Sequence, residues 1–397
     1  MPGPLEGVRV LDLTRVLAGP FSTMILGDLG AEIIKIEAPG SGDDTRQWGP
    51  PFIEGESAYF LSINRGKRSI TLDLKTAEGR QIIYELAEKC DVLIENFRPG
   101  VTERLKVDYS SIAKINPKLI YCSITSFGPA GPYRDRPAYD LVIQGMGGIM
   151  GVTGEPNQQP IRVGVAISDI AGAMYATIAI LAALVAREKT SKGQFIDISL
   201  LDSTISWMTY MAGYYFGTGR NPAKMGSAHP TIVPYQCFET KDGEFVTISI
   251  GNDKLFQEFC EAIGLKQLAD DEKFATNSKR VTNRAQLVPI LEEQFKQRNR
   301  EEWLKILTDA RLPAGPVYSI QEMFSDPQVL TRQMLLRLDH PKAGRINQIG
   351  IPMKFSETEP QIRFPPPLLG QQTDEILLDL LHYDPRRIAE LREKQVI

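Results

Sequence analysis

The chain has 397 residues, of which 42% are hydrophobic and 24% charged, and its formal net charge is −4 at pH 7. This composition is ordinary for a soluble globular protein large enough for two domains, or for one large domain with an insert. The weak negative charge argues against binding to nucleic acid or to an anionic membrane. Four widely spaced cysteines form no C-x-x-C pair, so neither a disulfide framework nor a zinc site is indicated. A reducing, cytoplasmic compartment is expected.

Strand and helix patterns alternate through the first third of the chain. Strands are predicted at 8–14, 32–37, 69–74, 92–95 and 119–125, and helices at 21–29 and 76–89. This alternation is typical of a parallel, doubly wound α/β sheet. Ligands of such sheets bind outside the carboxyl ends of the strands. The loops of interest are therefore 15–20, 72–75, 95–100 and 126–140.

A run without charge follows Asp169, over 170–186, and predicts a helix that is apolar on every face. Such helices are buried, and at 17 residues the run only touches the lower limit of a membrane span. We expect a core helix. Ser168 or Asp169 is predicted as its N-cap. Alternatively, Asp169 is a rigidly held, partly desolvated carboxylate suited to act as a nucleophile. The spacing alone leaves both interpretations open.

The pattern changes in the second half of the chain. A strand at 195–201 and a helix at 203–216 precede a hairpin centred on Lys241-Asp-Gly243 and helices at 253–263, 284–298 and 300–310. Short strands are expected within 328–355 and a last helix at 373–381. The predicted division is a large domain over 1–202, a linker and loop over 203–230, a small α+β domain over 231–326, and a C-terminal segment over 327–397.

Familiar catalytic motifs are missing from the sequence. There is no G-x-S-x-G elbow, H-E-x-x-H pair or P-loop. The glycine-rich run at 145–151 does not follow a clear strand, so it predicts a loop rather than a nicotinamide site. Cations near the predicted strand ends either bind a phosphorylated, non-redox ligand or are solvated surface charges. Phe97 either stacks on a base or is buried after its strand. These cations are Lys75, Arg98, Arg104, Arg134 and Arg136.

Several longer motifs together resemble the class III coenzyme A transferases, the family of formyl-CoA transferase and carnitine CoA-transferase. They are VRVLDLTRVLAGP, LGAEIIKIEAPGSGD, NRGKRSITLDLKTAEG, DVLIENFRPG, KTSKGQFIDISLLD and PPPLLGQQTDEIL. The resemblance covers nearly the whole chain. It implies a Rossmann-like large domain completed by the C-terminal segment, a small domain, and two subunits interlocked as rings in a homodimer. The family's catalytic aspartate matches Asp169, in SDIAGA.

The resemblance also implies a set of coenzyme A contacts and no tightly bound cofactor or metal. These contacts are Val16, Leu17, Ala18, Leu72, Lys75, Asn96, Phe97, Arg98, Arg104, Tyr139 and Asp140. Two positions depart from formyl-CoA transferase. Ala38 stands where that enzyme has a phosphate-contacting arginine, and Leu17 replaces its glutamine, which argues against formyl or oxalyl as the preferred acyl group.

The segment MGSAHPTIVPYQ most resembles, in sequence, the succinyl-CoA:glutarate type of transferase. We therefore expect an acyl-CoA donor and a small dicarboxylate acceptor. The candidates to bind the acceptor are Arg46, Arg134, Arg136, Ser227 and His229. One alternative is a 2-methylacyl-CoA racemase of the same fold. That branch uses a histidine where this chain has Tyr139, and a phenol is a poor proton shuttle at neutral pH. A second alternative is a non-catalytic CoA-binding protein.

Overall fold

A computed structural model describes residues 3–397, which divide into two compact units. The larger unit contains the chain up to Ile149, together with Arg162–Thr209 and Pro327–Ile397. The smaller unit contains Met150–Ile161 and Tyr210–Asp326. Residues 150–161 therefore belong to the smaller unit and not, as the sequence suggested, to the large domain.

The secondary structure alternates between strands and helices over the first half of the chain. The strands are β1 (Arg9–Asp12), β2 (Glu32–Glu37), β3 (Phe52–Ile53), β4 (Glu56–Ser57), β5 (Lys67–Thr71), β6 (Val92–Glu95), β7 (Ile120–Thr125), β8 (Phe195–Ser199), β9 (Tyr235–Glu239), β10 (Phe245–Ser249), β11 (Ala314–Pro316), β12 (Leu335–His340) and β13 (Gly344–Ile349). The α-helices of the first half are α1 (Ala18–Asp28), α2 (Ala58–Ile63), α3 (Ala77–Lys89), α4 (Val101–Leu105), α5 (Tyr109–Ile115), α6 (Asp140–Met146), α7 (Ile149–Val152) and α8 (Ile167–Thr190).

Helices dominate the second half. They are α9 (Leu200–Ser206), α10 (Thr209–Thr218), α11 (Asp253–Ala262), α12 (Lys266–Asp270), α13 (Asn277–Thr282), α14 (Arg284–Phe295), α15 (Arg300–Asp309), α16 (Ile320–Ser325), α17 (Pro327–Thr331), α18 (Thr373–Glu375) and α19 (Pro385–Glu393). A 3-10 helix spans Asp44–Gln47, and a π-helix spans Ile376–Leu380.

The larger unit is built on a parallel sheet with the strand order β5-β2-β1-β6-β7-β8. This confirms the predicted parallel sheet. Apolar clusters cover both of its faces. The chain builds the sheet outward from β1 in one direction and from β6 in the other, so the order reverses between these two strands. In such sheets this reversal opens a crevice at the carboxyl ends, where ligands bind.

The C-terminal segment completes the larger unit. Ile376 and Leu377 of the π-helix and Ile388 and Leu391 of α19 pack into the apolar cluster on one face of the sheet. The sequence analysis missed α19. Its signal was present, because Asp384 accepts a hydrogen bond as the N-cap and a proline follows at the first helical position.

Helix α8 is longer and less buried than predicted. Met174, Ile178 and Val185 are 45%, 57% and 63% exposed and lie on one face of the helix. The expectation of a helix buried on every face is therefore wrong for this chain. Among the described residues, α8 is long and apolar enough to cross a membrane, a criterion that core helices of soluble proteins meet as well.

The structure corrects three further details. β8 ends at Ser199, because the Ser199 side chain accepts a hydrogen bond from the backbone of Asp202 and caps α9. The predicted helix at 203–216 is divided between α9 and α10. The glycine-rich run at 145–151 is not a loop throughout but forms the end of α6 and the start of α7.

The smaller unit contains the predicted hairpin, in which β9 and β10 pair antiparallel with β11 on the outer side of β10. Its helices pack on an aromatic core. Phe295 stacks on Phe238 with 4.8 Å between the ring centroids, and it contacts Trp303 at 4.9 Å. The predicted helices at 253–263, 284–298 and 300–310 correspond to α11, α14 and α15.

A buried ion pair lies at the carboxyl end of β1. Asp12 and Lys67 are both inaccessible to water, with Asp12 Oδ2 3.1 Å from Lys67 Nζ. Burial by itself would raise the pKa of Asp12. The ammonium groups of Lys67 and Lys35 outweigh that effect, with help from hydrogen bonds, and lower it to about 2. The carboxylate is thus charged and fully paired inside the unit.

We expect Asp12→Ala to lower the free energy of unfolding by about 3–5 kcal/mol, because the Lys67 ammonium stays buried without its partner. Urea unfolding of the full chain measures the change. Asp374→Ala is the control, since its partner Arg392 and Asp374 itself are both more than half exposed. It should cost less than about 1 kcal/mol. Equal losses in the two variants would contradict the role given to the buried pair.

Candidate active site

A cavity of about 310 Å³ opens at the carboxyl ends of the central strands. It lies where the strand order reverses, as expected for this type of sheet. The turn after β1, the turn after β6 and the long loop after β7 form its walls. Among its lining residues are Arg15, Val16, Leu17, Ala18, Asp44, Asn96, Phe97, Arg98, Arg134, Arg136, Tyr139 and Asp169.

The turn after β1 is held in a strained conformation. Val16 has a φ of 70°, a left-handed value that a β-branched residue rarely adopts. The Asn96 side chain makes two hydrogen bonds to the main chain of the neighbouring Arg15. Arg15 N donates to Asn96 Oδ1 at 2.9 Å, and Asn96 Nδ2 donates to Arg15 O at 2.7 Å. Asp43 Oδ1 accepts from Val16 N at 3.2 Å. These contacts keep the strained backbone in place.

Helix α1 begins at this turn, and its first residue, Ala18, lines the cavity. Leu17 occupies the N-cap position and provides no side-chain hydrogen bond. The first N–H groups of a helix have no partner within the helix and carry partial positive charge. The start of α1 therefore offers the cavity a site that favours negative charge.

Asp169 does not cap α8, nor does Ser168. The helix begins at Ile167, with Ala166 at the N-cap, so both predicted caps lie inside the first turn. Asp140 of α6 takes over the capping role, because Ser168 N donates to Asp140 Oδ1 at 2.9 Å. Gln144 Nε2 donates to the other oxygen of Asp140 at 2.6 Å and holds that carboxylate in place.

This arrangement leaves the Asp169 carboxylate unpaired at the cavity wall. Within residues 3–397, no group donates a hydrogen bond to it. Burial raises the pKa of Asp169 to about 7, and the negative charge of Asp140 adds to the rise. Desolvation is the larger of these two causes. A carboxylate with no donor to stabilise its charge is a stronger base and nucleophile than one in water.

Tyr59 of α2 is a neighbour of this carboxylate that the sequence analysis missed. Its pKa is raised to about 12, first by burial and then by the charges of Asp169, Asp43 and Asp140. The Tyr59 ring meets Trp48 edge to face, with 5.2 Å between centroids. No sequence signal pointed to Tyr59, because α2 does not follow a strand of the central sheet.

Most of the predicted CoA contacts line the cavity, and four do not. Leu72 is buried after β5, and Asp140 is buried behind Asp169. Lys75 and Arg104 are exposed outside the cavity wall, beyond β5 and β6 respectively.

Arg46, which was predicted to bind the acceptor acid, has other partners in the structure. Its guanidinium binds Glu37 through two hydrogen bonds of 2.7 Å and lies 3.7 Å from the centre of the Phe60 ring. Arg46 therefore has little donor capacity left for a substrate carboxylate, and it does not line the cavity.

Ser227 and His229 belong to the smaller unit. Ser227 Oγ accepts a hydrogen bond from the backbone of Cys237, and His229 Nδ1 accepts one from Thr231 N. Burial and the charge of Arg284 lower the pKa of His229. Because Nδ1 accepts from Thr231 N, Nε2 is the ring nitrogen left to contact a ligand.

The fold and the cavity define an α/β protein with a ligand-sized cavity at the carboxyl ends of a parallel sheet and a helix-borne carboxylate in its wall. The chain belongs to CoA-transferase family III, whose model matches residues 5–373. It is therefore a CoA-transferase, as the sequence motifs predicted.

Individual relatives agree with this assignment. The chain is 45% identical to "Succinyl-CoA:glutarate CoA-transferase" of Homo sapiens, over 99% of this chain and 90% of the relative. It is 43% identical to "Acetyl-CoA:oxalate CoA-transferase" of Acetobacter aceti, over 93% of this chain and 94% of that relative. A CAIB/BAIF family protein from Brucella suis, known from a crystal structure, is 45% identical in sequence to this chain. The two structures superpose with a TM-score of 0.86, over 96% of this chain and all of that one.

The raised pKa of Asp169 predicts a pH-dependent stability. The folded chain binds this proton more tightly than the unfolded chain, whose aspartates titrate near about 4. The stability that the proton confers is complete below about pH 4 and is lost as the pH rises through about 7. Asp169→Asn should therefore raise the urea midpoint relative to wild type at about pH 8.5, and the difference should vanish near about pH 4.

Asp44→Asn provides the matched control, because the Asp44 side chain is 58% exposed at the same cavity. The difference in urea midpoint between Asp44→Asn and wild type should stay the same at about pH 4 and about pH 8.5. A constant offset for Asp169→Asn at every pH would contradict the raised pKa.

Proposed function

We propose that the protein transfers coenzyme A from a small dicarboxylyl-CoA, such as succinyl-CoA, to a free dicarboxylate such as glutarate, with Asp169 as the nucleophile. The observation that carries the proposal is the unpaired Asp169 carboxylate in the wall of the cavity. The buried carboxylates of Asp12 and Glu37, by contrast, are paired with Lys67 and Arg46.

The chemistry proceeds through two kinds of covalent intermediate. An Asp169 oxygen attacks the thioester carbonyl of the donor, the C–S bond breaks, and CoA leaves as the thiolate. The thiolate then attacks Cγ of the resulting anhydride, which releases the donor acid and leaves an aspartyl-CoA thioester. The acceptor carboxylate repeats both steps in reverse order and restores Asp169. In each step one carboxylate or thiolate attacks a carbonyl and another leaves it, so no proton or electron pair is gained or lost.

Charge develops on carbonyl oxygens in each of these steps. The backbone N–H groups at the start of α1 and α8 are the proposed donors to those oxygens, because helix N-termini favour negative charge. Arg98, Arg134 and Arg136 line the cavity and are proposed to bind the phosphates of CoA. Binding energy from this remote part of the substrate holds the reacting atoms together.

Two observations support dicarboxylates as the acids exchanged. The human and Acetobacter relatives are named for glutarate and oxalate, which are both dicarboxylic acids. The cavity also contains more arginines than acidic groups, with Arg15, Arg98, Arg134 and Arg136 against Asp44, Asp135 and Asp169. A second carboxylate on the substrate finds a cation here.

We also propose that the chain works as a homodimer. The exposed apolar stripe of α8 supports this, because monomeric soluble proteins rarely leave contiguous large apolar side chains in water. A second copy of the chain is the partner that the resemblance implies.

Asp169→Ala should lower the rate of CoA transfer by on the order of 10³-fold or more, since no other residue takes over covalent catalysis. CoA binding, measured by calorimetry, should change little because Asp169 contacts the reacting carbonyl and not the nucleotide. Wild type incubated with succinyl-CoA and quenched with hydroxylamine should carry a hydroxamate on Asp169, detected by peptide mass spectrometry. Asp44→Ala, altered at the same cavity, should still be trapped. Binding of CoA without any trapped adduct would instead indicate a non-catalytic CoA-binding protein.

The acceptor preference is tested by exchange from succinyl-CoA to a panel of acids. Glutarate and its four- to six-carbon dicarboxylate relatives should exceed butyrate and carnitine by about 10-fold or more in kcat/KM, because an arginine–carboxylate pair contributes about 1.5–3 kcal/mol. Oxalate tests the inference from Leu17 and should be a poor acceptor. Butyrate as efficient as glutarate would refute the need for a second carboxylate.

A further inference from the structure

We infer that Arg15 binds the distal carboxylate of the dicarboxylate substrate and so sets the preference for two-headed acids. This inference rests on the proposed transferase function and names a residue that the sequence analysis left out. Arg15 lies in the turn between β1 and α1 and lines the same cavity as Asp169.

The main chain of Arg15 is held more firmly than an exposed turn normally is. The Asn96 side chain binds both its N–H and its C=O, at 2.9 and 2.7 Å. The following residue, Val16, is locked in a left-handed conformation by Asp43. A binding group on so rigid a base loses little freedom when the ligand arrives.

The guanidinium group of Arg15 makes no hydrogen bond to another residue within the described part of the chain. Its side chain is 46% exposed, and its nearest carboxylate oxygen, on Asp44, is 3.7 Å from Nη1, too far for a hydrogen bond. The group lies 5.3 Å from the centre of the Phe97 ring. By contrast, Arg46 and Arg65 each bind a carboxylate through two short hydrogen bonds. Arg15 therefore retains its planar set of donors, which matches a carboxylate.

Arg15 also shares its cavity with the nucleophile. Arg15, Asp44 and Asp169 all line it, and Asp44 is the acid that lies nearest to Arg15. A short acid whose first carboxylate reacts at Asp169 thus has its second carboxylate in the same cavity as Arg15.

The other cavity arginines are less suited to this task. Arg134 and Arg136 lie on the exposed stretch of the loop after β7, and their backbone N–H groups bond only within that loop, to Gly131 O and Tyr133 O. The main chain of Arg15 is instead held by Asn96 from another turn. Arg98 lies on the turn after β6, two residues after Asn96, and its side chain is exposed. A group of three exposed cations suits a flexible ligand with several phosphates. A small acid needs one cation at a fixed distance from the nucleophile.

The test compares Arg15→Gln with Arg15→Lys, using glutarate and pentanoate as acceptors. These acids have the same chain length and differ only in the second carboxylate. Both react with the same aspartyl-CoA intermediate, so the ratio of their kcat/KM values does not depend on the donor. Arg15→Gln should lower the glutarate-to-pentanoate ratio by about 10- to 100-fold. Arg15→Lys should give an intermediate ratio, because lysine keeps the charge and loses the paired donors.

Arg98→Gln is the matched control. It should raise the KM for succinyl-CoA and leave the acceptor ratio at the wild-type value. Thermal unfolding checks that each variant is folded. Arg15→Gln with an unchanged ratio overturns the inference, and so does an equal loss with both acceptors accompanied by a raised KM for succinyl-CoA. Failure of the proposed function is a different result: wild type then shows no transfer, or transfers to pentanoate as readily as to glutarate.

Discussion

The cavity depends on a chain of buried charges beneath it. Lys67 pairs with Asp12, and Lys35 Nζ binds Asp43 Oδ2 at 2.9 Å, with all four side chains removed from water. Taking each charge out of water is costly, so such groups persist only where geometry and hydrogen bonds satisfy them fully. Here the same groups also hold the backbone of the turn after β1. Lys35 donates to Thr14 O, Lys67 donates to Pro20 O, and Asp43 accepts from Val16 N. The sheet therefore positions the wall of the site through ionic contacts, which are directional, and not through apolar packing alone.

Asp140 has two effects on the site, and they follow from one contact. By accepting the hydrogen bond of Ser168 N, it caps α8 in place of the helix's own side chains. Asp169 is consequently free to face the cavity, whereas an aspartate at the cap would spend its oxygens on backbone N–H groups. The same proximity places a negative charge near Asp169 and contributes to its raised pKa. Positioning and electrostatic tuning thus come from a single neighbouring carboxylate.

The sequence predicted those parts of the structure that local patterns encode. The alternation of strands and helices and the hairpin of β9 and β10 were confirmed, because hydrophobic periodicity and turn residues are local signals. Pairing across the sheet is not encoded locally. Arg46 appeared available for substrate until the structure placed Glu37 against it. The start of α8 was misjudged for the same reason, since its capping carboxylate comes from another helix. Motif resemblance located Asp169, but it gave no indication of Arg15 or Tyr59.

Departures from ordinary local rules meet at one cavity, and this coincidence supports the candidate site independently of any relative. Among the described non-glycine residues with positive φ, only Val16 and Thr209 are β-branched, and Val16 lines the cavity. Asp169 is a carboxylate without a donor, and Arg15 is a guanidinium without a hydrogen-bonded acid. By contrast, Arg65 and Asp28 form a buried pair joined by two hydrogen bonds. Strain and unsatisfied charge reduce stability, so they persist where the surrounding structure enforces them and where they serve the chemistry. The carboxylate of Asp169 and the guanidinium of Arg15 line one cavity. Together they are complementary to a substrate that carries both an electrophilic carbonyl and a second negative charge.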